Sequence, residues 1–168
     1  MSLANIITLA RLGLVPAIIA LLLGGATGVA FALFLVFLLG DLADGAIARA
    51  RRETSALGEF LDPLADKLLA AGLLAAFAAL GRLSWLGFAL LAVPQLALLA
   101  GAVLLSRRRL RLLAAKAWGK AAATVLALGL AMIFLTITGY REVIYLGIFL
   151  SYLAGLDYLR LGLRRAKR

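Results

Sequence analysis

Residues 41–66 read DLADGAIARARRETSALGEFLDPLAD, and this stretch decides how the rest of the chain is read. It holds four aspartates, Asp41, Asp44, Asp62 and Asp66, in two pairs at spacings of three and four. A helix turns about 100° per residue, so Asp41, Asp44, Gly45 and Ala48 share one arc, and Gly58, Asp62 and Asp66 share another. The surrounding sequence is overwhelmingly apolar. Carboxylates are costly in such surroundings and call for a function or a partner.

Working outward, the chain has 168 residues, 65% of them hydrophobic, with a mean hydropathy of +1.07. Soluble domains average about 45–50% apolar residues. The composition therefore predicts an all-α integral membrane protein, with residues 1–168 forming one membrane domain. One crossing takes about 20 residues. Breaks at GGATG (24–28), after Arg49, at GRLS (81–84), RRRLR (107–111) and TGYRE (138–142) leave six transmembrane spans, near 4–24, 28–50, 58–80, 84–106, 114–138 and 140–162. Met1 to Asn5 is not basic and no A-x-A-like site follows, so the first span is expected to be retained rather than cleaved.

The charges orient these spans. With six crossings, the two termini and the loops near 50–57 and 107–115 share one side, which carries all but two of the 18 basic residues. The opposite side has Arg82 and Arg141. Basic residues accumulate on the cytoplasmic side, so both termini are expected there, in the cytoplasmic membrane. The net charge of +10 then reflects topology and anionic lipid headgroups rather than nucleic acid. In the first span, Asn5, Thr8 and Arg11 form a polar stripe at spacings of three. That stripe suggests a short interfacial helix before the crossing begins near Pro16.

Cysteine and histidine are both absent, which excludes disulfides, thiolate nucleophiles, histidine-based triads and ordinary zinc sites. Acid–base or metal chemistry must use Asp, Glu, Lys or Tyr. Two acidic faces on consecutive antiparallel helices can meet near the cytoplasmic boundary, where they repel unless a cation intervenes. An all-oxygen donor set favours a hard divalent ion such as Mg²⁺, Mn²⁺ or Ca²⁺. Gly45, Ala48 and Gly58 either let the helices pack closely or make room for a diphosphate or a flat base. Arg49, at the edge of the same face, suits an acid or a phosphate.

Asp41-x-x-Asp44-Gly45-x-x-Ala48-Arg49, then eight residues, then Gly58-x-x-x-Asp62-x-x-x-Asp66 resembles the complete signature of the CDP-alcohol phosphotransferases. NIITLARLGLVP (5–16) and DPLADK (62–67) further resemble the phosphatidylglycerophosphate synthase and cardiolipin synthase branch. The resemblance implies a homodimeric six-helix membrane enzyme with two divalent ions, Mg²⁺ or Mn²⁺, held by Asp41, Asp44, Asp62 and Asp66. In it Asp66 is also the general base, and Gly45, Ala48, Arg49 and Gly58, together with Asn5 and Thr8, surround the CDP moiety. The implied reaction transfers the phosphatidyl group of CDP-diacylglycerol to an alcohol and releases CMP.

For the acceptor, the branch implies glycerol 3-phosphate, with phosphatidylglycerol or an inositol compound as alternatives. Lys116, Lys120 and Arg160 are candidates to bind it. The chain departs from the glycerophosphate pattern in two places. Its fourth span reads AVPQLALLAG without an Arg-acid pair, and Gly119-Lys120 is followed by Ala123 and Leu126 where Thr and Gln are expected. Two other classes compete: a cation or proton transporter, and a scaffold with buried acids paired to Arg49 or Lys67. The clustering of acids at one membrane face, with only Glu142 near the other, speaks against a transport path.

Overall fold

The computed structural model describes residues 3–51, 56–93 and 117–166, and these are helical apart from short turns. The helices are α1 (Leu3–Leu23), α2 (Thr27–Arg51), α3 (Ala56–Ala79), α4 (described over 85–93), α5 (Ala117–Phe134) and α6 (Tyr140–Ala166). They correspond one for one to the six expected spans. Among the described residues no helix is long and apolar enough to cross a membrane. The chain forms two units, Met1–Leu80 and Gly81–Arg168.

In the first unit α1 is the central element, because it packs against both α2 and α3. Direct packing of α2 on α3 is at most marginal among the described residues. Val15, Ile18 and Leu22 of α1, Phe34 and Phe37 of α2, and Leu69, Leu73 and Phe77 of α3 form the buried contacts. Gly72 of α3 makes the α1 seam possible, since Ile19 Cδ1 lies where a Cβ on that residue would stand. The separate interfacial helix expected before Pro16 is not formed, because α1 runs unbroken through Pro16. One missing N–H and the ring's clash with the preceding turn do not end a helix that is packed on two sides.

The turn between α1 and α2 follows from GGATG. Gly25 takes the left-handed conformation at φ 84°. Its N–H donates to Leu22 O at 3.1 Å, and the Ala26 N–H donates to Leu21 O at 2.9 Å. This double bond closes the helix on its last carbonyls.

In the second unit the same closure ends α5, where Thr136 N–H reaches Ile133 O at 3.3 Å and Ile137 N–H reaches Met132 O at 2.9 Å. Here the left-handed position, φ 54°, is held by Thr136, a β-branched residue that rarely adopts it. That is why α5 stops at Phe134, four residues before the span limit read from TGYRE. Ser84 caps α4, its Oγ accepting the Gly87 N–H at 3.1 Å. Arg82 ties the corner together, donating to Ile133 O at 3.4 Å and accepting from Tyr140 Oη at 2.8 Å through its carbonyl.

The antiparallel pair α5 and α6 is close-packed through two glycines. A Cβ on Gly147 would lie 2.7 Å from Leu126 Cγ and 3.1 Å from its backbone nitrogen. One on Gly129 would lie 2.7 Å from Ile144 Cγ1 and 3.1 Å from the Ile144 nitrogen. Because backbone atoms take part, neither clash relaxes by turning a side chain alone. Gly147→Ala and Gly129→Ala should each lower stability by about 1–3 kcal/mol, read as a reduced thermal midpoint of the purified protein in detergent. Gly13→Ala, with nothing within 4 Å of the new methyl, should not lower it. Thr136→Gly should raise the midpoint, removing a left-handed Cβ penalty of about 1–2 kcal/mol; an unchanged or lower value would show the turn to be unstrained.

Candidate active site

Arg11 lies on the third turn of α1, facing the groove between α2 and α3. Its guanidinium is buried, with 2% of the side chain exposed. It forks onto two carboxylates from different helices. Nη1 lies 2.9 Å from Asp41 Oδ1 of α2, and Nη2 donates to Asp66 Oδ1 of α3 at 2.7 Å. The Phe37 ring, one turn before Asp41, lies 4.4 Å from the guanidinium carbon. Gly40 lets the arginine stem pass along α2, since a Cβ there would stand 3.2 Å from Arg11 Cδ.

The physical logic of this arrangement is charge compensation. A buried guanidinium without partners would cost several kcal/mol in desolvation. A charge-assisted hydrogen bond to Asp66, an ion pair with Asp41 and an aromatic face offset that cost. The carboxylates themselves stay accessible, Asp41 43% and Asp66 47% exposed. Arg11 therefore sits behind them and leaves their outer sides toward solvent.

The two acidic faces are described at one aspartate each. The first and last aspartates of the motif do converge, but on a cation from α1, which lies between the helices that carry them. The remaining pair, Asp44 and Asp62, sit on α2 and α3 one helical turn nearer the 52–55 connection; their side chains lie outside the described residues. Gly45, Ala48 and Arg49 follow on α2 and Gly58 precedes on α3, toward the same connection, with side-chain surroundings likewise outside the described residues. So do the side chains of Asn5 and Thr8 on α1.

Among the described residues no group of three or more acids is gathered to hold a metal. The chemistry of the donor set nonetheless fits a hard divalent ion. The two described carboxylates keep accessible oxygens, 43% and 47% exposed, and offer oxygen ligands only.

The acceptor candidates are in the second unit. Lys120 is exposed on α5, Arg160 is on α6 with its side chain outside the described residues, and Lys116 is also outside them. A cavity of about 240 Å³ in the second unit is lined by Gly81, Leu83, Ser84, Arg141 and Tyr145. Its Ser84 hydroxyl caps α4 and bonds Tyr145 Oη at 3.0 Å.

Arg11 is the residue that sequence reasoning underrated, as part of a polar stripe and a topology charge. The available signal was an isolated arginine within an apolar run, NIITLARLGLVP, where an ionisable group demands a partner.

Comparison with known proteins identifies the family. Residues 1–154 match the family model described as CDP-alcohol phosphatidyltransferase. A Mycobacterium tuberculosis protein described as a probable phosphatidylglycerophosphate synthase is 32% identical over 97% of this chain and 82% of its own length. The Arabidopsis thaliana CDP-diacylglycerol–glycerol-3-phosphate 3-phosphatidyltransferase 1 is 34% identical over 65% of this chain and 39% of its own. The rat cardiolipin synthase (CMP-forming) is 46% identical over 39% of this chain and 22% of its own. With Asp41 and Asp66 meeting at Arg11 and a family match over nearly its whole length, the chain belongs to the CDP-alcohol phosphatidyltransferase family.

Proposed function

We propose that this enzyme of phospholipid biosynthesis transfers the phosphatidyl group of CDP-diacylglycerol to glycerol 3-phosphate, releasing CMP and forming phosphatidylglycerophosphate. The observation that carries the reading is the convergence of Asp41 and Asp66, the two ends of the aspartate motif, on one site with their outer sides accessible. The acceptor is supported by the names of the Mycobacterium and Arabidopsis relatives. Phosphatidylglycerol is the second reading, supported by the cardiolipin synthase relative and by the departures at Pro94-Gln95, Ala123 and Leu126.

In this reading Asp41, Asp44, Asp62 and Asp66 hold two divalent ions, Mg²⁺ or Mn²⁺, which when bound screen the diphosphate and the departing CMP. Asp66 accepts the proton of the acceptor hydroxyl. The freed oxygen forms a new ester bond to the β-phosphorus as the bond to the CMP oxygen breaks. Gly45, Ala48 and Gly58 leave space for the nucleotide, with Asn5 and Thr8 beside it. Arg49 supplies charge for its phosphates. Lys116, Lys120 and Arg160 attract the anionic acceptor.

We further propose that residues 1–168 act as one catalytic domain, as the family match across both units supports. The domain lies in the cytoplasmic membrane as six spans with both termini and the site on the cytoplasmic side, and it pairs as a homodimer. Membrane placement is supported by the composition and by large apolar side chains left exposed around the helices, among them Leu23, Val36, Leu39, Leu86, Leu128 and Phe149. Water tolerates such surfaces poorly over contiguous areas.

Purified protein given CDP-diacylglycerol, Mg²⁺ and glycerol 3-phosphate should release CMP and yield phosphatidylglycerophosphate by mass spectrometry, and a chelator should stop both. Asp66→Asn should reduce turnover by about 10²–10⁴-fold; full activity in that variant would remove the assigned base. An acceptor panel of glycerol 3-phosphate, phosphatidylglycerol, inositol 1-phosphate, myo-inositol and serine decides the product. Preference for phosphatidylglycerol would replace the first reading by the second.

A further inference from the structure

We propose that Arg11 is a positioning residue for the metal-binding carboxylates, a buried strut from α1 that sets the separation and rotamers of Asp41 and Asp66. The inference rests on the reading of these aspartates as metal ligands and adds a requirement to it. Three observations bring it beyond ordinary charge pairing. First, the guanidinium contacts Asp41 and Asp66 with different nitrogens, at 2.9 and 2.7 Å, so one rigid planar group spans two helices. Second, among the described residues α2 and α3 each pack on α1 far more than on each other, so α1 is the element common to the two carboxylates at this level. Third, the arginine is itself fixed, with Phe37 against its guanidinium, Gly40 against its stem and 2% of its side chain exposed.

Two effects oppose each other when Arg11 is removed. A lost positive charge strengthens the pull of the aspartates on a cation, while a lost strut leaves the ligands unplaced. The charge effect is screened, because both carboxylates are nearly half exposed to solvent. The positioning effect is not screened, and small hard cations tolerate misplaced ligands poorly. Groups that orient metal ligands typically contribute about 10–100-fold to metal affinity. Positioning therefore wins, and the sign of the change distinguishes it from simple charge balance.

The test is Mn²⁺ binding by the purified full chain in detergent, counting free Mn²⁺ by electron paramagnetic resonance, with thermal midpoints measured on the metal-free proteins. Arg11→Met should weaken Mn²⁺ binding about 10–100-fold, and Arg11→Lys should recover part of the loss. Gly40→Ala is the decisive companion, since it changes no charge, favours helix and presses only on the Arg11 stem. It should weaken binding by about threefold to tenfold, less than the roughly 10–100-fold of losing an orienting group outright, without lowering the thermal midpoint. In turnover assays the Mn²⁺ activation constant should rise in the same order, with kcat at saturating Mn²⁺ less affected. Unchanged or tighter binding in both Arg11→Met and Gly40→Ala would overturn the proposal and leave Arg11 as a counter-charge. If Arg11→Met does not fold, Gly40→Ala and Arg11→Lys decide alone. A wild-type protein that binds no Mn²⁺ would overturn the metal reading itself, and this proposal with it.

Discussion

The first unit depends on one buried cation. Arg11 is buried within a largely apolar helix, where Asp41 and Asp66 reach its charge from the two neighbouring helices and offset its desolvation. The dependence runs both ways. Acids gathered at one site repel, and a guanidinium between two of them is what lets α2 and α3 carry their aspartates to the same place. The seam of α1 with its neighbours, including Gly40 against the arginine stem and Gly72 against Ile19, brings the helices close enough for that fork to close.

The chemistry follows from where the compensation stops. Arg11 contacts one aspartate of each pair from behind, and the outer sides of Asp41 and Asp66 remain accessible. Asp44 and Asp62 lie a turn nearer the α2–α3 connection, with Gly45, Ala48, Arg49 and Gly58 beyond them. The accessible oxygens of Asp41 and Asp66 are ligands of the kind that a hard divalent ion takes. Among the described residues of the second unit, glycines sit where α5 meets α6, Ser84 caps a helix, and Arg82 donates to a carbonyl at the end of α5.

Much of this was legible beforehand because it is local. The GGATG break became the Gly25 turn, and the aspartate spacings put each pair on one helical face, since helical period depends on neighbours a few residues away. The misread boundaries were those where a residue acts against its usual preference. Thr136 occupies a left-handed position normally read from glycine, and ends α5 early. Pro16, read as the start of a crossing after an interfacial helix, lies inside a continuous α1.

The sequence by itself determined an all-helical chain, the six helical segments, the absence of thiol and imidazole chemistry, and a signature specific enough to indicate the family. Only the tertiary structure decided what stands between the acidic faces. Arg11 is 30 residues from Asp41 and 55 from Asp66, and no periodicity reaches across such separations. A lone arginine in an apolar run is equally consistent with anchoring, topology or pairing until packing supplies its neighbours. Placing α1 between α2 and α3 removed that ambiguity, because a guanidinium buried at that position must be met by charge.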